Sequence, residues 1–345
     1  MRYYRGMPSP RQCVQLLVAI LIVLVIFSSI TVRQTSNPVV PLKPPPYAYP
    51  DNDQESIGRT VRKKTIAEIT GIAIRNDGGE WHGYDVICNN SEDDFLSTML
   101  MTPNGVTPIF LYDPDYDSRV SKSLMDSGTW QQDVMLELRD LMEENSQMAL
   151  LDIGAGIGAL SLAMAQMHRF VIAVEPSPEN ARRLCEGIIQ GRFQRKVSIV
   201  NNALSDKVKM MELDVWDNER SNVHVRDVTK PSDKTLVQAI RLDNLVDRFP
   251  FALTAIHIDV GENVASILRG VGYFFDATVV WAVLVNWSDV LGSPADVDYV
   301  RTFMEAHHMT PHGKANGKMP LMHTDYKTWP QLVIFKKTHY PKTNY

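Results

Sequence analysis

The chain has 345 residues, 44% hydrophobic and 22% charged, enough for a full buried core and about two domains by length, although one α/β domain can fill that span. Its 35 Lys and Arg against 40 Asp and Glu give a net charge of −5, without the basic excess that a polyphosphate partner favours, which argues against dedicated nucleic-acid binding. The charge is unevenly spread. Residues 1–32 hold Arg2, Arg5 and Arg11 and no acid, and setting them aside moves the remainder from −5 to −8.

From Cys13 to Val32 runs an uncharged stretch of twenty residues, which as a helix spans roughly the 30 Å of a bilayer's hydrocarbon core. Residues 13–32 are therefore expected to form a transmembrane signal-anchor. The alternative is a cleavable signal peptide, whose apolar core is about 7–15 residues long and ends in a small-x-small site; Ser28-Ser29-Ile30 fits that poorly. Arginines before the run keep residues 1–12 cytosolic and put the rest in the lumen, a single-pass type II topology in the Golgi or ER, or secretion if the segment is cut. Residues 33–61, with Pro38, Pro41, Pro44, Pro45, Pro46 and Pro50, read as an extended stem. Cys13 at the cytosolic edge is a candidate for palmitoylation. Cys88 and Cys185 can form a disulfide in an oxidising compartment, but Cys185 falls in a helical stretch, and a buried free thiol is the preferred reading. Asn89 and Asn286 open N-x-S sequons.

After a mixed extension, residues 62–128, the head proper is expected over 129–340. An amphipathic run Trp130–Glu144 precedes the apolar burst Ala149–Ile153. A helix over Leu160–Met167, a strand over Phe170–Glu175, a helix started by Pro178 and a strand Val197–Val200 follow. A polar, β-rich insertion covers Val208–Val228. The series resumes with a strand Leu253–Val260, a helix Val264–Leu268, a strand Val279–Val285, a helix Asp296–Ala306 and a last strand Leu332–Lys336. Buried strands alternating with helices predict a doubly wound parallel sheet, with ligands beyond the carboxyl ends of the strands.

Two of those strands end in acids. Asp152-Ile-Gly154-Ala-Gly156-Ile-Gly158 is a glycine-rich strand-to-helix turn, where missing Cβ atoms let a ligand approach the backbone. The pattern also satisfies a dinucleotide fingerprint through Ala159, so glycines alone do not choose the ligand. Asp152 disfavours a pyrophosphate and suits a cationic or zwitterionic ligand such as S-adenosylmethionine. Glu175, at the end of the next strand, is placed to accept ribose hydroxyls from either cofactor.

The segments ALLDIGAGIGALSLAMA, VIAVEPSPENARRL, VNNALSD, IRLDNL, AIHIDV and ILRG, in this order, resemble the FkbM-type family of S-adenosylmethionine-dependent class I methyltransferases over about residues 105–340. The resemblance implies a seven-stranded Rossmann-like sheet and O-methylation of a carbohydrate or small hydroxylated metabolite. It implies that Asp152, Gly154, Gly156 and Gly158 hold the methionine portion and Glu175 the ribose. Asn202 and Ala203, with Ser205, would lie near the adenine, and Asp243 and Asp259 on the substrate side. Where the family reads IDVEGxE, this chain reads Ile258-Asp259-Val260-Gly261-Glu262-Asn263, so both family glutamates are displaced. That departure leaves a catalytically degenerate cofactor- or glycan-binding head as an alternative. An NAD(P)-dependent oxidoreductase is a third reading, without a Tyr-x-x-x-Lys constellation to carry it.

Methylating an alcohol needs in-line geometry and a base for the hydroxyl proton. The candidates are Asp259, the preferred site carboxylate, His257 and Glu262. His257, inside an apolar strand, has a core role as its plain alternative. His307, His308 and His312 lack zinc spacing, and Asp113, Asp115 and Asp117 read as a solvated loop, so no metal is expected. Trp281, Trp287 and Trp329 are candidate sugar platforms, Trp281 reading more simply as core. A glycan on Asn286 would obstruct the expected site. The oligomeric state has no signal in the sequence.

Overall fold

The computed structural model describes residues 72–88, 94–216, 219–229, 234–249 and 251–337. The expected anchor, the proline stem, Cys13 and the Asn89 sequon lie outside them. Among the described residues no helix is long and apolar enough to cross a membrane.

Two hairpins come first, β1 Ala73–Asn76 with β2 Trp81–Gly83 and β3 Leu96–Thr102 with β4 Gly105–Leu111. Helices α1 Val120–Ser127 and α2 Gln132–Glu144 lead into β5 Ala149–Ile153, α3 Ala159–Gln166, β6 Val171–Val174, α4 Pro178–Gln190 and β7 Val197–Val200. Four strands follow, β8 Ala203–Leu204, β9 Lys209–Trp216, β10 Glu219–Asp227 and β11 Leu236–Ile240. The chain then forms β12 Leu253–Ile258, α5 Val264–Arg269, α6 Phe274–Ala277, β13 Val279–Asn286, α7 Trp287–Val290, α8 Pro294–Ala306, β14 Met309–His312 and β15 Leu332–Lys337.

Local chemistry explains the best-defined boundaries. Ser177 caps α4 by accepting from the Asn180 backbone N–H at 3.4 Å, with Pro178 in the first turn; Ser293 and Pro294 start α8 in the same way. Strands β5 and β13 are almost continuously apolar and buried, as strands covered on both faces must be.

The main sheet has nine strands in the order β14-β15-β13-β12-β5-β6-β7-β1-β2. The seven from β14 to β7 form the expected Rossmann-like sheet, but two expectations need correction. The sheet is mixed, because β15 runs antiparallel to both β13 and β14. It is also wider than seven strands: β1 adds parallel to β7, and β2 turns back antiparallel, drawing the extension into the sheet edge. An unpaired β7 edge would leave backbone donors and acceptors open, and β1 fills them. One core cluster packs α2, α3 and α4 on one face, and a second packs α5 to α8 on the other. The insertion folds with β8 and β11 into a separate sheet, β10-β9-β11-β8.

Cys88 and Cys185 are disulfide-bonded, Cα atoms 5.5 Å apart, correcting the preferred free-thiol reading. Both cysteines are buried, so helical burial of Cys185 and pairing coexist.

Candidate functional site

A cleft of about 580 Å³ opens beyond the carboxyl ends of β5, β6, β12 and β13. Of the expected residues, Asp152, Gly154, Gly156, Glu175, His257 and Asp259 line it, while Gly158 lies behind the turn. The turn's three glycines do different work. A Cβ on Gly154 would stand 2.0 Å from the Asp259 carbonyl oxygen, so Gly154 lets β5 and the end of β12 converge. A Cβ on Gly158 would meet Leu184 Cδ1 at 2.3 Å, so Gly158 lets α3 pack against α4. Gly156 has no heavy atom closer than the Ser221 carbonyl oxygen at 4.0 Å from its missing Cβ. Of the three, it alone leaves its side-chain space to the cleft.

Glu175 is 3% exposed at the end of β6. Its Oε2 accepts from the Gly156 backbone N–H at 2.8 Å, and its Oε1 from the Ser177 N–H at 2.8 Å and from Asn180 Nδ2 at 3.3 Å. Asn180 is fixed in turn: it donates to the Ser221 carbonyl and accepts from the Tyr112 hydroxyl at 2.8 Å. Burial, only partly offset by these donors, pushes the Glu175 carboxyl up to about 7 from an ordinary 4.5. The folded chain therefore holds this proton through a range in which the unfolded chain releases it. Stability present at pH 4.5 is lost as pH rises toward 7, by about 3 kcal/mol for that much displacement. In thermal unfolding from pH 4.5 to 7.5, the wild type should lose that increment and E175Q should not; parallel profiles would mean that Glu175 is ionised throughout.

Asp152 is 1% exposed and wholly engaged. Its Oδ1 lies 2.8 Å from His257 Nδ1, and its Oδ2 accepts from the Ser161 hydroxyl at 2.6 Å. Strand register sets this contact, since β12 pairs with β5 so that His257 faces Asp152. His257 is 4% exposed, and its proton is held more firmly than an ordinary histidine's: burial opposes the charge, but Asp152 and, more weakly, Asp259 outweigh it. Asp259 Oδ2 accepts from Gln131 Nε2 at 2.7 Å. Gln131 adopts φ +45°, a left-handed backbone that a non-glycine residue takes only when its surroundings enforce it. Asp289, one turn past β13, also lines the cleft. Burial and, secondarily, the Asp259 charge raise its carboxyl to about 6.

Other expected residues sit elsewhere. Glu262 is exposed in the short turn Gly261–Asn263 and does not line the cleft, because Gly261, at φ +59°, turns the chain before it. Asp243 is not on the substrate side either: it accepts from the backbone N–H groups of Gly272, Tyr273 and Phe274 and from Arg241, and so clasps the start of α6. Asn202 spends its amide on the Asn76 backbone and the Gln238 carbonyl, joining the sheet edge to β11. Asn202 and Ala203 border a cavity of about 20 Å³ that shares Pro176, Val225 and Val260 with the cleft. Trp287 and Trp329 are core like Trp281, their indole N–H groups satisfied by the Tyr326 and Met322 carbonyls. His307 packs on Phe275 and Phe303, away from the cleft. Asp117 is buried, accepting from Ser121 and Ser221, while Asp113 and Asp115 are exposed, so the acids do not converge. Among the described residues no group of three or more His, Cys, Asp or Glu is arranged to hold a metal.

The sequence reading missed Asp289, Gln131 and Trp130, while one wall of the cleft, Ser221–Val225 of β10, comes from the insertion it set apart. Asp289 had a usable signal, as the first acid beyond the β13 strand. Gln131 and β10 reach the cleft only through long-range packing.

No protein-family model matches the chain, and no curated protein does. Among solved structures it is similar to methyltransferase FkbM from Methylobacillus flagellatus, at 14% identity and a TM-score of 0.37, covering 55% of this chain and 43% of that one. It is similar to an S-adenosylmethionine-dependent O-methyltransferase from Thermotoga maritima, at 10% identity and 0.34, covering 71% and 79%. A third is precorrin-6y C5,15-methyltransferase from Geobacter metallireducens, at 15% and 0.31, covering 59% and 88%. The chain spans less than half the length of the FkbM structure. The chain's own strand order and cleft define a Rossmann-like, doubly wound fold with its cleft at the carboxyl ends of the strands.

Proposed function

We propose that the protein is an S-adenosylmethionine-dependent methyltransferase acting on a hydroxyl of a carbohydrate or small metabolite. The carrying observation is the cleft in which Gly156 leaves open space beside Glu175, with Asp259 and Asp289 at the ends of the neighbouring strands. The residues fit the cofactor: the Gly156 backbone can be approached closely, and Glu175, which lines the cleft, keeps one acceptor position on Oε2, where only the Gly156 N–H donates, for a hydroxyl once it is ionised. Bound there, the cofactor would supply an electrophilic methyl group on a sulfonium leaving group. The chain's task is then to hold the acceptor and take its proton. Asp289, raised to about 6, is a carboxylate at neutral pH and a stronger proton acceptor than an ordinary aspartate. Gln131 holds Asp259 beside it, and Trp130 offers an apolar wall.

Calorimetry of the full-length chain should find binding of S-adenosylmethionine and S-adenosylhomocysteine and not of NAD. No binding of the first two, or tight NAD binding, overturns the proposal. On an acceptor found in a glycan and metabolite panel, D289N should lower methyl transfer by about 10²–10⁴-fold with homocysteine-product affinity unchanged. Cofactor binding without transfer across the panel would favour the degenerate reading, which the exposed position of Glu262 supports. We further propose a lumenal head on a type II anchor, supported by the apolar run 13–32 and by the Cys88–Cys185 disulfide, a bond suited to an oxidising compartment. A soluble secreted form beginning near residue 30 would replace the anchor with a cleaved signal.

A further inference from the structure

We propose that His257, held by Asp152, anchors the carboxylate of the ligand's methionine portion, while Asp259, two positions along the same strand face, receives its ammonium. The assignment rests on the reading of the cleft as an S-adenosylmethionine site, and it exchanges the roles expected from the sequence. Asp152 was the expected partner of the methionine head. Asp152 borders the same cleft, but it is 1% exposed and each of its oxygens already has a partner, one His257 and the other the Ser161 hydroxyl, so the cleft meets its charge chiefly through the imidazole. With Nδ1 on Asp152, the ring's other polar atom is Nε2, on a ring that lines the cleft beside the glycine turn. A protonated ring then presents an N–H donor there, and the two flanking carboxylates, Asp152 on β5 and Asp259 on its own strand, favour the protonated ring.

The other cationic or imidazole side chains lining the cleft belong to different structures. Arg119, more than half exposed, precedes α1 and is paired with Glu219, and His224 lies on β10 against Gly261. Asp259 extends the β12 ladder by one backbone hydrogen bond, to the Ile153 carbonyl, so its side chain leaves the same face as His257, about 6.5–7 Å further along. An amino-acid zwitterion carries opposite charges on one carbon, and a cation and an anion at that spacing receive both. Gln131 donates to only one Asp259 oxygen, Oδ2, which leaves Oδ1 for the ammonium.

Calorimetry of the full-length chain with three probes tests this. S-adenosylhomocysteine carries the whole head, its decarboxylated analogue keeps the ammonium alone, and 5′-methylthioadenosine has neither. The wild type should bind S-adenosylhomocysteine about 10–100-fold more tightly than the decarboxylated analogue, the range for one hydrogen bond between charged groups. H257Q should erase that preference while binding 5′-methylthioadenosine within twofold of wild type, which also reports that it folds; H257K should restore part of it. Equal wild-type affinities for the first two probes overturn the assignment without any variant, as does an unchanged preference in H257Q. Failure of the wild type to bind any of the three would overturn the cofactor reading itself.

Discussion

Gly154→Ala is expected to destabilise the fold strongly, by about 2–5 kcal/mol, whereas Gly156→Ala, two residues along the same turn, is expected to fold nearly as well as the wild type and lose its ligand. At Gly154 the backbone has φ +86°, and an added Cβ would lie 2.0 Å from the Asp259 carbonyl oxygen and 2.9 Å from its carbon. The obstruction is backbone rather than a flexible side-chain tip, so relief requires β5 and the end of β12 to separate. The left-handed penalty is about 1–2 kcal/mol and overpacking about 1–3 more, together a large share of the roughly 5–15 kcal/mol that holds a domain. At Gly156, φ is +56° and the nearest atom is 4.0 Å away, so only the backbone penalty applies. The methyl group would occupy the space that a ligand needs. Thermal unfolding and S-adenosylhomocysteine titration of both variants check the contrast. A G154A protein melting with the wild type, or a G156A protein binding like it, would contradict this division of roles.

Reduction of the Cys88–Cys185 bond should lower stability by about 3–5 kcal/mol, because the cross-link closes a loop of 97 residues that the unfolded chain otherwise explores freely. For a domain of this size that is a fall of about 10 °C in melting temperature. Cys185 lies in the middle of α4, whose first turn carries Ser177 and Asn180, two of the groups that hold Glu175. C88S/C185S should therefore weaken cofactor binding as well as stability. Scanning calorimetry with and without reductant reads the first effect directly, and coincident transitions would show that the bond contributes nothing.

The main sheet was legible where its signal was local. The apolar burst Ala149–Ile153, the glycines after it and the Pro178-started helix each specify their own conformation, and the structure has them within a residue or two. The extension's place in the sheet was not legible, because β1 joins it by pairing with the edge of β7, over a hundred residues away. Antiparallel β15 and the insertion sheet depend on long-range pairing in the same way.

For the site, residue type and strand position identified Glu175, His257 and Asp259 as cleft residues, since a strand's carboxyl end delivers its side chains to one edge. Charge type does not separate Asp152, Asp243, Asp259 and Asp289, but the fold does: Asp243 is consumed by backbone donors away from the cleft, Asp152 borders the cleft with each oxygen already partnered, and Asp259 and Asp289 line it at the ends of the neighbouring strands. Trp287 and Trp329 illustrate the same limit, as a tryptophan's partner is set by whatever carbonyl folding places at its N–H.

By itself the sequence determined the split between an apolar, basic amino-terminal segment and an acidic head, the strand–glycine–helix turn and the acid that follows on the next strand. These are properties of neighbouring residues, carried by covalent order and side-chain chemistry. Only the tertiary structure decided that Cys88 meets Cys185, that Asp152 is spent on His257, that Glu262 turns outward and that Asp289 turns in. Each of those depends on which distant backbone lies alongside, and burial then fixes whether a charge is free, paired or held neutral.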